Sequence, residues 1–235
     1  MIKKTNRTKK KEERTEEILK AAKKVFFCKG YFSSSIEEIA KLAGISKGTV
    51  YLYFRNKDEL YVSLMLPVIE RYSKLLLEIK TDLIKGEFET GNDLIMKFYD
   101  IYSRLYKSDP EGLRIFQVYL STDLFIAMPE KTKKRLWLIG KRNIGLTNEI
   151  ITYAMKFGLL PKVKPVKMSN MLWGIFLGVV QWEDGKYRIS KNKNYLFDAL
   201  KNTFILISKG LGLNKNSSVQ QRSATLGKAG RNMLS

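Results

Sequence analysis

The chain has 235 residues, of which 43 are basic and 23 acidic, so its formal charge is +20; it contains no histidine and one cysteine. The lack of histidine excludes imidazole acid–base catalysis, Ser-His and Cys-His nucleophile pairs and the usual zinc sites. The sequence also has no glycine-rich phosphate loop, and no paired-carboxylate spacing stands out in it, so we expect neither an enzyme nor a cofactor. The charge favours a polyanionic partner, and a single cysteine without a signal peptide favours the reducing cytoplasm.

Within the first 60 residues, the positive charge is concentrated at the N-terminus. Residues 1–11 hold six basic side chains and no acidic one, whereas residues 12–60 hold nine basic and eight acidic side chains. We therefore expect residues 1–11 to form a basic flexible arm that follows the phosphate backbone or the minor groove of DNA. The alternative is a solvated tail without a partner.

Two helices are predicted before residue 44. Apolar side chains recur with the period of a helix over residues 18–26, and Gly30 suits the C-terminal cap of this first helix. Ser35 opens the second helix, and Glu38 follows at the spacing of a capping box. The short turn after Gly44 suits two helices that cross at a steep angle.

A third, short helix is predicted over residues 47–54, with Val50 and Phe54 facing inward and mostly cationic or hydroxyl side chains facing outward. Such a helix enters the major groove of DNA with its N-terminal part nearest the bases. Lys57 lies in the first turn of a fourth helix, a position that suits a phosphate. The alternative is a structural three-helix bundle with an ordinary polar surface. The candidate DNA-binding residues are Ser35, Ser46, Lys47, Gly48, Thr49, Tyr51, Tyr53 and Lys57.

The run from Ala43 to Phe54, with Lys57 and Leu60 after it, resembles the signature of the TetR family of transcriptional regulators nearly position by position. The resemblance covers residues 12–72. It implies a homodimer, a helical C-terminal ligand domain, and repression that a small molecule usually relieves. The two-fold symmetry of such a dimer suits a palindromic operator. By position, the resemblance also implies that the outward side chains of the third helix and Lys57 contact DNA.

The fourth helix is predicted over residues 57–85, and Pro67 lies inside it. A proline at this position removes one backbone hydrogen bond and clashes with the preceding turn, so we expect a kink or a break. One hypothesis makes Pro67 a joint between the two domains. The alternative is a static bend.

Aromatic side chains are frequent in the helices predicted over residues 92–107, 111–121 and 129–157. Single aromatic residues at helical spacing usually belong to a core, but as a group they indicate a wide apolar interior with tyrosine hydroxyls available to a ligand. We therefore expect an apolar or aromatic effector, with an arginine as a partner for any acidic head group. The candidate ligand-binding residues are Tyr102, Arg104, Tyr106, Phe116, Tyr119 and Trp137.

The segment 168–182 is apolar almost all round, which predicts a helix buried on every side, and it is too short to span a membrane. A last helix is predicted over residues 193–209. If both helices pack against their copies in a second subunit, they form a four-helix dimer interface; the alternative is a monomeric core. The candidate interface residues are Trp173, Gly174, Leu177, Gly178, Leu196, Leu200 and Phe204.

The sequence thus predicts an all-α protein. We expect the basic arm over 1–11, a helix-turn-helix domain over 12–72 with its motif at 35–54, a ligand-binding and dimerisation domain over 73–212, and a disordered tail over 213–235. The expected function is that of a sequence-specific transcriptional repressor, with palindromic double-stranded DNA, a small-molecule effector and a second copy of the chain as partners. An architectural DNA-binding protein without a ligand is the first alternative, and a divergent enzyme is the second.

Overall fold

The structure is a computed structural model that describes residues 6–122, 124–191 and 194–213. Within these ranges every regular element is helical, which confirms the all-α prediction. No helix among the described residues is long and apolar enough to cross a bilayer. The helices are α1 (Asn6–Lys29), α2 (Ile36–Leu42), α3 (Lys47–Tyr51), α4 (Lys57–Lys85), α5 (Gly91–Ser108), α6 (Pro110–Leu120), α7 (Leu124–Ala127), α8 (Glu130–Lys156), α9 (Pro165–Ser190) and α10 (Leu196–Gly210).

The first helix starts earlier than the sequence analysis expects. Residues 6–11, assigned above to a flexible arm, form the first turns of α1. No proline or glycine occurs between Asn6 and Lys29, and lysine, arginine and glutamate, which are good helix formers, dominate this stretch. The lysines at positions 9–11 therefore belong to a helix. Residues 1–5 and the tail residues 214–235 lie outside the described residues.

The chain folds into two compact units. Among the described residues, one unit comprises 6–69, 109–122 and 124–137, and the other comprises 70–108, 138–191 and 194–213. Segment 109–137 thus groups with the N-terminal helices, whereas the sequence analysis places it in the second domain. The reason is that α6 packs against α1.

The first unit has a core in which α1 packs on α2 and α6, and α2 packs on α3. Ile18, Ile39 and Val50 have no exposed surface and join the first three helices. Tyr61 of α4 donates a 2.9 Å hydrogen bond to the carbonyl of Ile115 in α6. These interactions fix the helix-turn-helix on a rigid base.

The second unit contains a cluster of stacked rings where α10 packs on α5 and α9. The ring of Tyr102 lies 4.5 Å from that of Phe176, nearly parallel to it, and 5.7 Å from the ring of Phe204. Tyr72 stacks on Trp173 at 4.5 Å and shares a 3.1 Å hydroxyl hydrogen bond with Tyr102. Burial of these large rings is the main apolar contribution to this unit.

Two details of the long helices differ from expectation. α4 continues through Pro67 without a break, and the side chain of Pro67 is exposed. α9 is not buried on every side, because Met171 and Trp182 are 61% and 68% exposed. Gly174 and Gly178 are exposed on α9 as well, so one side of this helix is uncovered in the protomer.

Candidate nucleic-acid interface and ligand domain

The caps of α2 and α3 form as the sequence predicts. The Ser35 side chain accepts from the amide of Glu38, whose carboxylate accepts from the Ser35 amide in return, which completes the capping box. Gly44 has a φ of +67°, a conformation that L side chains rarely adopt, and so permits the tight turn. Ser46 then caps α3 by accepting from the amide of Thr49 at 3.1 Å.

The short helix α3 presents one polar face. Val50 and Phe54 are buried, which turns Lys47, Gly48 and Tyr51 to the surface. The regular helix ends at Tyr51, three residues before the predicted end. The predicted DNA-binding residues Thr49 and Tyr53 remain half-exposed on the same segment. The outward face of α3 therefore carries an ammonium group, hydroxyl groups and, at Gly48, a backbone without a side chain. Such groups suit a helix that binds in the major groove.

Lys47 has an internal partner that a phosphate can replace. Its ammonium group pairs with the carboxylate of Glu37 on α2, and this pairing lowers the pKa of Glu37. Both side chains are about half exposed, so the pair contributes little stability. Lys47 can therefore turn to a DNA phosphate at small cost.

Lys57, predicted to bind a phosphate, is engaged inside the unit. Its ammonium group donates to the carbonyls of Tyr31 and Ser34 at 2.8 and 2.9 Å and lies 4.2 Å from the centre of the Tyr31 ring. The N-cap of α4 is Asn56, which accepts from the amide of Glu59 at 2.8 Å. The structure thus gives the Lys57 side chain a structural role.

The six candidate ligand residues are divided between the two units. Tyr102, Arg104 and Tyr106 belong to the second unit, whereas Phe116, Tyr119 and Trp137 belong to the first. Arg104 forms two hydrogen bonds with Glu78 on the surface, and Trp137 is 58% exposed. Tyr102 is enclosed by the ring cluster. These residues were predicted from residue type, which does not report the unit that a helix belongs to.

A cavity of about 390 Å³ lies between the start of α9 and the end of α10, in the second unit. Met168, Leu172 and Ile207 are among its apolar lining residues, and the basic side chains in its lining are Lys164 and Lys167. None of the six candidate ligand residues contributes to it. An elongated apolar molecule with an anionic group suits such a lining.

The predicted dimer residues divide into two sets. Leu196, Leu200 and Phe204 have no exposed surface. They belong to the core of the protomer. Their assignment to an intersubunit surface is wrong, because they expose no surface that a second subunit could bury. Trp173 stacks on Tyr72 of its own chain. The exposed glycines Gly174 and Gly178 and the half-buried Leu177 remain candidates.

Comparison with known proteins gives a family. Residues 18–64 match the model of the bacterial regulatory proteins of the tetR family. The fatty acid metabolism regulator protein of Bacillus subtilis (strain 168) is 43% identical over 196 residues, which cover 82% of this chain and 96% of that protein.

Solved structures share the fold. The transcriptional regulator FadR from Bacillus subtilis, solved in complex with stearoyl-CoA, superposes with a TM-score of 0.61 at 22% identity, over 83% of this chain and 98% of that one. AibR, solved in complex with isovaleryl coenzyme A and operator DNA, gives a TM-score of 0.63 at 16% identity, over 82% and 97% of the two chains.

The capped helix-turn-helix with its polar outer face defines a DNA-binding transcriptional regulator. More particularly, the chain belongs to the tetR family of bacterial regulatory proteins. The family prediction made from residues 12–72 is thereby confirmed.

Proposed function

We propose that the protein is a homodimeric repressor that leaves its operator when a fatty acyl-CoA binds to it. The observation that carries this proposal is the 43% identity to a fatty acid metabolism regulator along 96% of that protein's length. Identity of this extent includes the ligand domain as well as the DNA reader, so a related effector is expected. An acyl-CoA also satisfies the expectation of an apolar effector with an acidic group.

The outer face of α3 supports the operator-binding half of the proposal. Lys47, Thr49, Tyr51 and Tyr53 supply one ammonium group and three hydroxyls, and Gly48 allows the backbone to come close to a phosphate. Residues Ser35 and Ser46 act as caps that hold the helices in register. One such reader covers one half-site, so a two-fold dimer suits a palindromic operator.

The uncovered side of α9 supports the dimer. A Cβ atom added at Gly174 or Gly178 would meet nothing within 4 Å in the protomer, and Trp182 extends the same helix with exposed apolar surface. Small residues flanked by large apolar ones allow two helices to approach closely and bury area. A second copy of the chain is the partner that such a surface fits.

The cavity between α9 and α10 supports an effector with an aliphatic chain. Its lining is almost wholly apolar, and it includes Lys164 and Lys167 but no carboxylate. An acyl chain would occupy the apolar part, while the lysines would interact with carbonyl or phosphate oxygens.

The test is a titration of a preformed protein–operator complex. The operator is obtained by selection from random duplexes, and palmitoyl-CoA, free CoA and palmitate are added in parallel. We expect palmitoyl-CoA to release the DNA and the two fragments to act only at much higher concentration. Substitution of Lys164 and Lys167 by Gln should raise the palmitoyl-CoA concentration for half-release by about tenfold or more, as the loss of charge-assisted hydrogen bonds would, whereas Lys156→Gln, outside the cavity, should not.

The outcomes separate the parts of the proposal. If palmitoyl-CoA releases the lysine variant as readily as the wild type, the effector class stands, but the effector binds at another site. A complex that no acyl-CoA affects would contradict the effector assignment. A complex that any duplex competes away would favour the architectural alternative.

A further inference from the structure

The N-terminal turns of α1 and the end of α3 border one open cleft in the first unit. Lys10, Lys11 and Arg14 line it from α1, and Leu52 and Tyr53 line it from the segment that follows α3. Leu52 is 80% exposed. The cleft therefore lies directly beside the C-terminal end of the DNA-reading helix.

The cleft has a net positive charge, and not all of its basic side chains form ion pairs. Two carboxylates, Glu13 and Glu17, also line it, against three basic side chains. Arg14 forms a 2.7 Å ion pair with Glu17. Within the described residues, the ammonium groups of Lys10 and Lys11 have no ion pair. Lysines with an exposed side chain and no acidic partner attract a polyanion that comes near them.

We propose that this cleft binds the sugar-phosphate backbone of duplex DNA that is seated on α3, with Lys10 and Lys11 as the phosphate ligands. This inference rests on the proposed operator binding and extends it to a second element of the unit. Tyr53 lines the cleft and follows α3 by two residues, so the cleft adjoins the surface that α3 presents.

The helical form of this segment decides between the two DNA surfaces considered for the arm. An α-helix with its side chains is about 10–12 Å across, whereas the minor groove of B-DNA is about 6 Å wide. The part of the arm that α1 contains cannot enter that groove as a helix. An ammonium group that binds a phosphate reads no base edge, so the interaction of these lysines with the backbone is independent of sequence.

The experiment measures operator affinity against salt concentration for matched variants. Lys10→Gln/Lys11→Gln removes the two cleft lysines. Lys20→Gln/Lys24→Gln removes the same charge from exposed positions of the same helix that do not line the cleft. The two double variants share net charge, helix and exposure, and helical content by circular dichroism verifies that both fold.

We expect the cleft variant to flatten the slope of log K against log salt by about 0.9 for each phosphate that the protein no longer neutralises, and so by about 1.8 in total. The control variant should keep the wild-type slope. Ethylation of single phosphates beside the half-site should weaken the wild type at several positions. At one or two of these positions the cleft variant should be insensitive, whereas the control variant should stay sensitive at all of them.

Equal slope changes in the two double variants would overturn the proposal, because they would show that the lysines act only through the overall charge. A cleft variant that stays sensitive to ethylation at every position where the wild type is sensitive would overturn it as well. If the wild type itself selected no operator, operator binding as a whole would fail. Failure of the cleft proposal alone gives a different result, in which the wild type binds its operator and the two double variants behave alike.

Discussion

The ammonium group of Lys57 lies over the ring of Tyr31, 4.2 Å from its centre, and donates to the Tyr31 carbonyl at 2.8 Å. A second hydrogen bond, of 2.9 Å, goes to Ser34. Lys57 thereby fastens the start of α4 to the loop that precedes α2. Its importance for DNA binding is then indirect, through the position of the reading helix.

Lys57→Met should lower the free energy of unfolding by about 1–3 kcal/mol, because two hydrogen bonds from a charged group are removed. Operator affinity should fall while the slope of log K against log salt stays unchanged. Lys47→Met, on the outer face of α3, should show the opposite pattern in stability and salt dependence. It should lose little stability, and its slope should be flatter by about 0.9. Thermal unfolding and binding at several salt concentrations distinguish the two variants. A flatter slope in Lys57→Met would restore Lys57 as a phosphate ligand.

Tyr51→Ala should weaken operator binding by about 1–3 kcal/mol, the contribution of one good interaction with a base. Tyr51 is 46% exposed on α3, so its removal should not disturb the fold. Tyr195→Ala, at a residue 50% exposed outside the first unit, is the matched control. Wild-type affinity in Tyr51→Ala would show that another face reads the DNA.

Gly178→Leu should convert the dimer into a monomer. A Cβ added at this position meets nothing within 4 Å in the protomer, so the chain still folds, but the bulk prevents a close approach of two α9 helices. Gly140→Leu in α8, where a Cβ is equally free of neighbours, controls for a glycine replaced inside a helix. Sedimentation velocity measures the result. A dimeric Gly178→Leu would place the interface elsewhere.

Alkaline pH should destabilise the second unit through its buried tyrosines. Burial raises the pKa of Tyr72 to about 12, moderated by hydrogen bonds with Tyr102 and Thr147. Burial, and then the charge on Tyr72, raises the pKa of Tyr102 as well. In the unfolded chain both would ionise near pH 10, so the unfolded state binds fewer protons above that pH and stability falls as the pH rises.

The free energy of unfolding should therefore be constant below pH 10 and should fall towards pH 12 by about 1.4 kcal/mol per pH unit for each buried tyrosine. Tyr72→Phe should reduce this dependence, and Tyr195→Phe, at an exposed residue, should not. Melting temperatures from pH 8 to 11 provide the measurement. An identical pH dependence in all three proteins would refute the assignment.

Local sequence signals predicted the reader well, because caps and tight turns depend on residues a few positions apart. Ser35 with Glu38, Gly44 and Ser46 all have the predicted roles. Side chains whose partners are distant in sequence were not predictable in this way. Lys57 binds carbonyls 26 and 23 residues before it, and no local pattern indicates such a partner.

The second unit shows where periodicity stops being informative. An apolar stripe marks one face of α10 as buried, but it does not report whether its own chain or a second copy covers that face. Leu200 and Phe204 are covered by their own chain. On α9 the exposed surface is marked by glycines and not by apolar side chains. Gly174 and Gly178, which have no side chain to bury, lie on it. The exposure of each side chain in the structure shows which helix faces the protomer covers, and residue type alone does not.

Selection of binding sites from a pool of random duplexes, at physiological salt and with excess nonspecific competitor, tests operator-specific binding most directly. The wild type should enrich a palindromic motif with half-sites about one helical turn apart, and Tyr51→Ala should enrich it weakly or not at all. A pool that shows no enriched motif, or an identical motif and yield with Tyr51→Ala, would contradict sequence reading by α3.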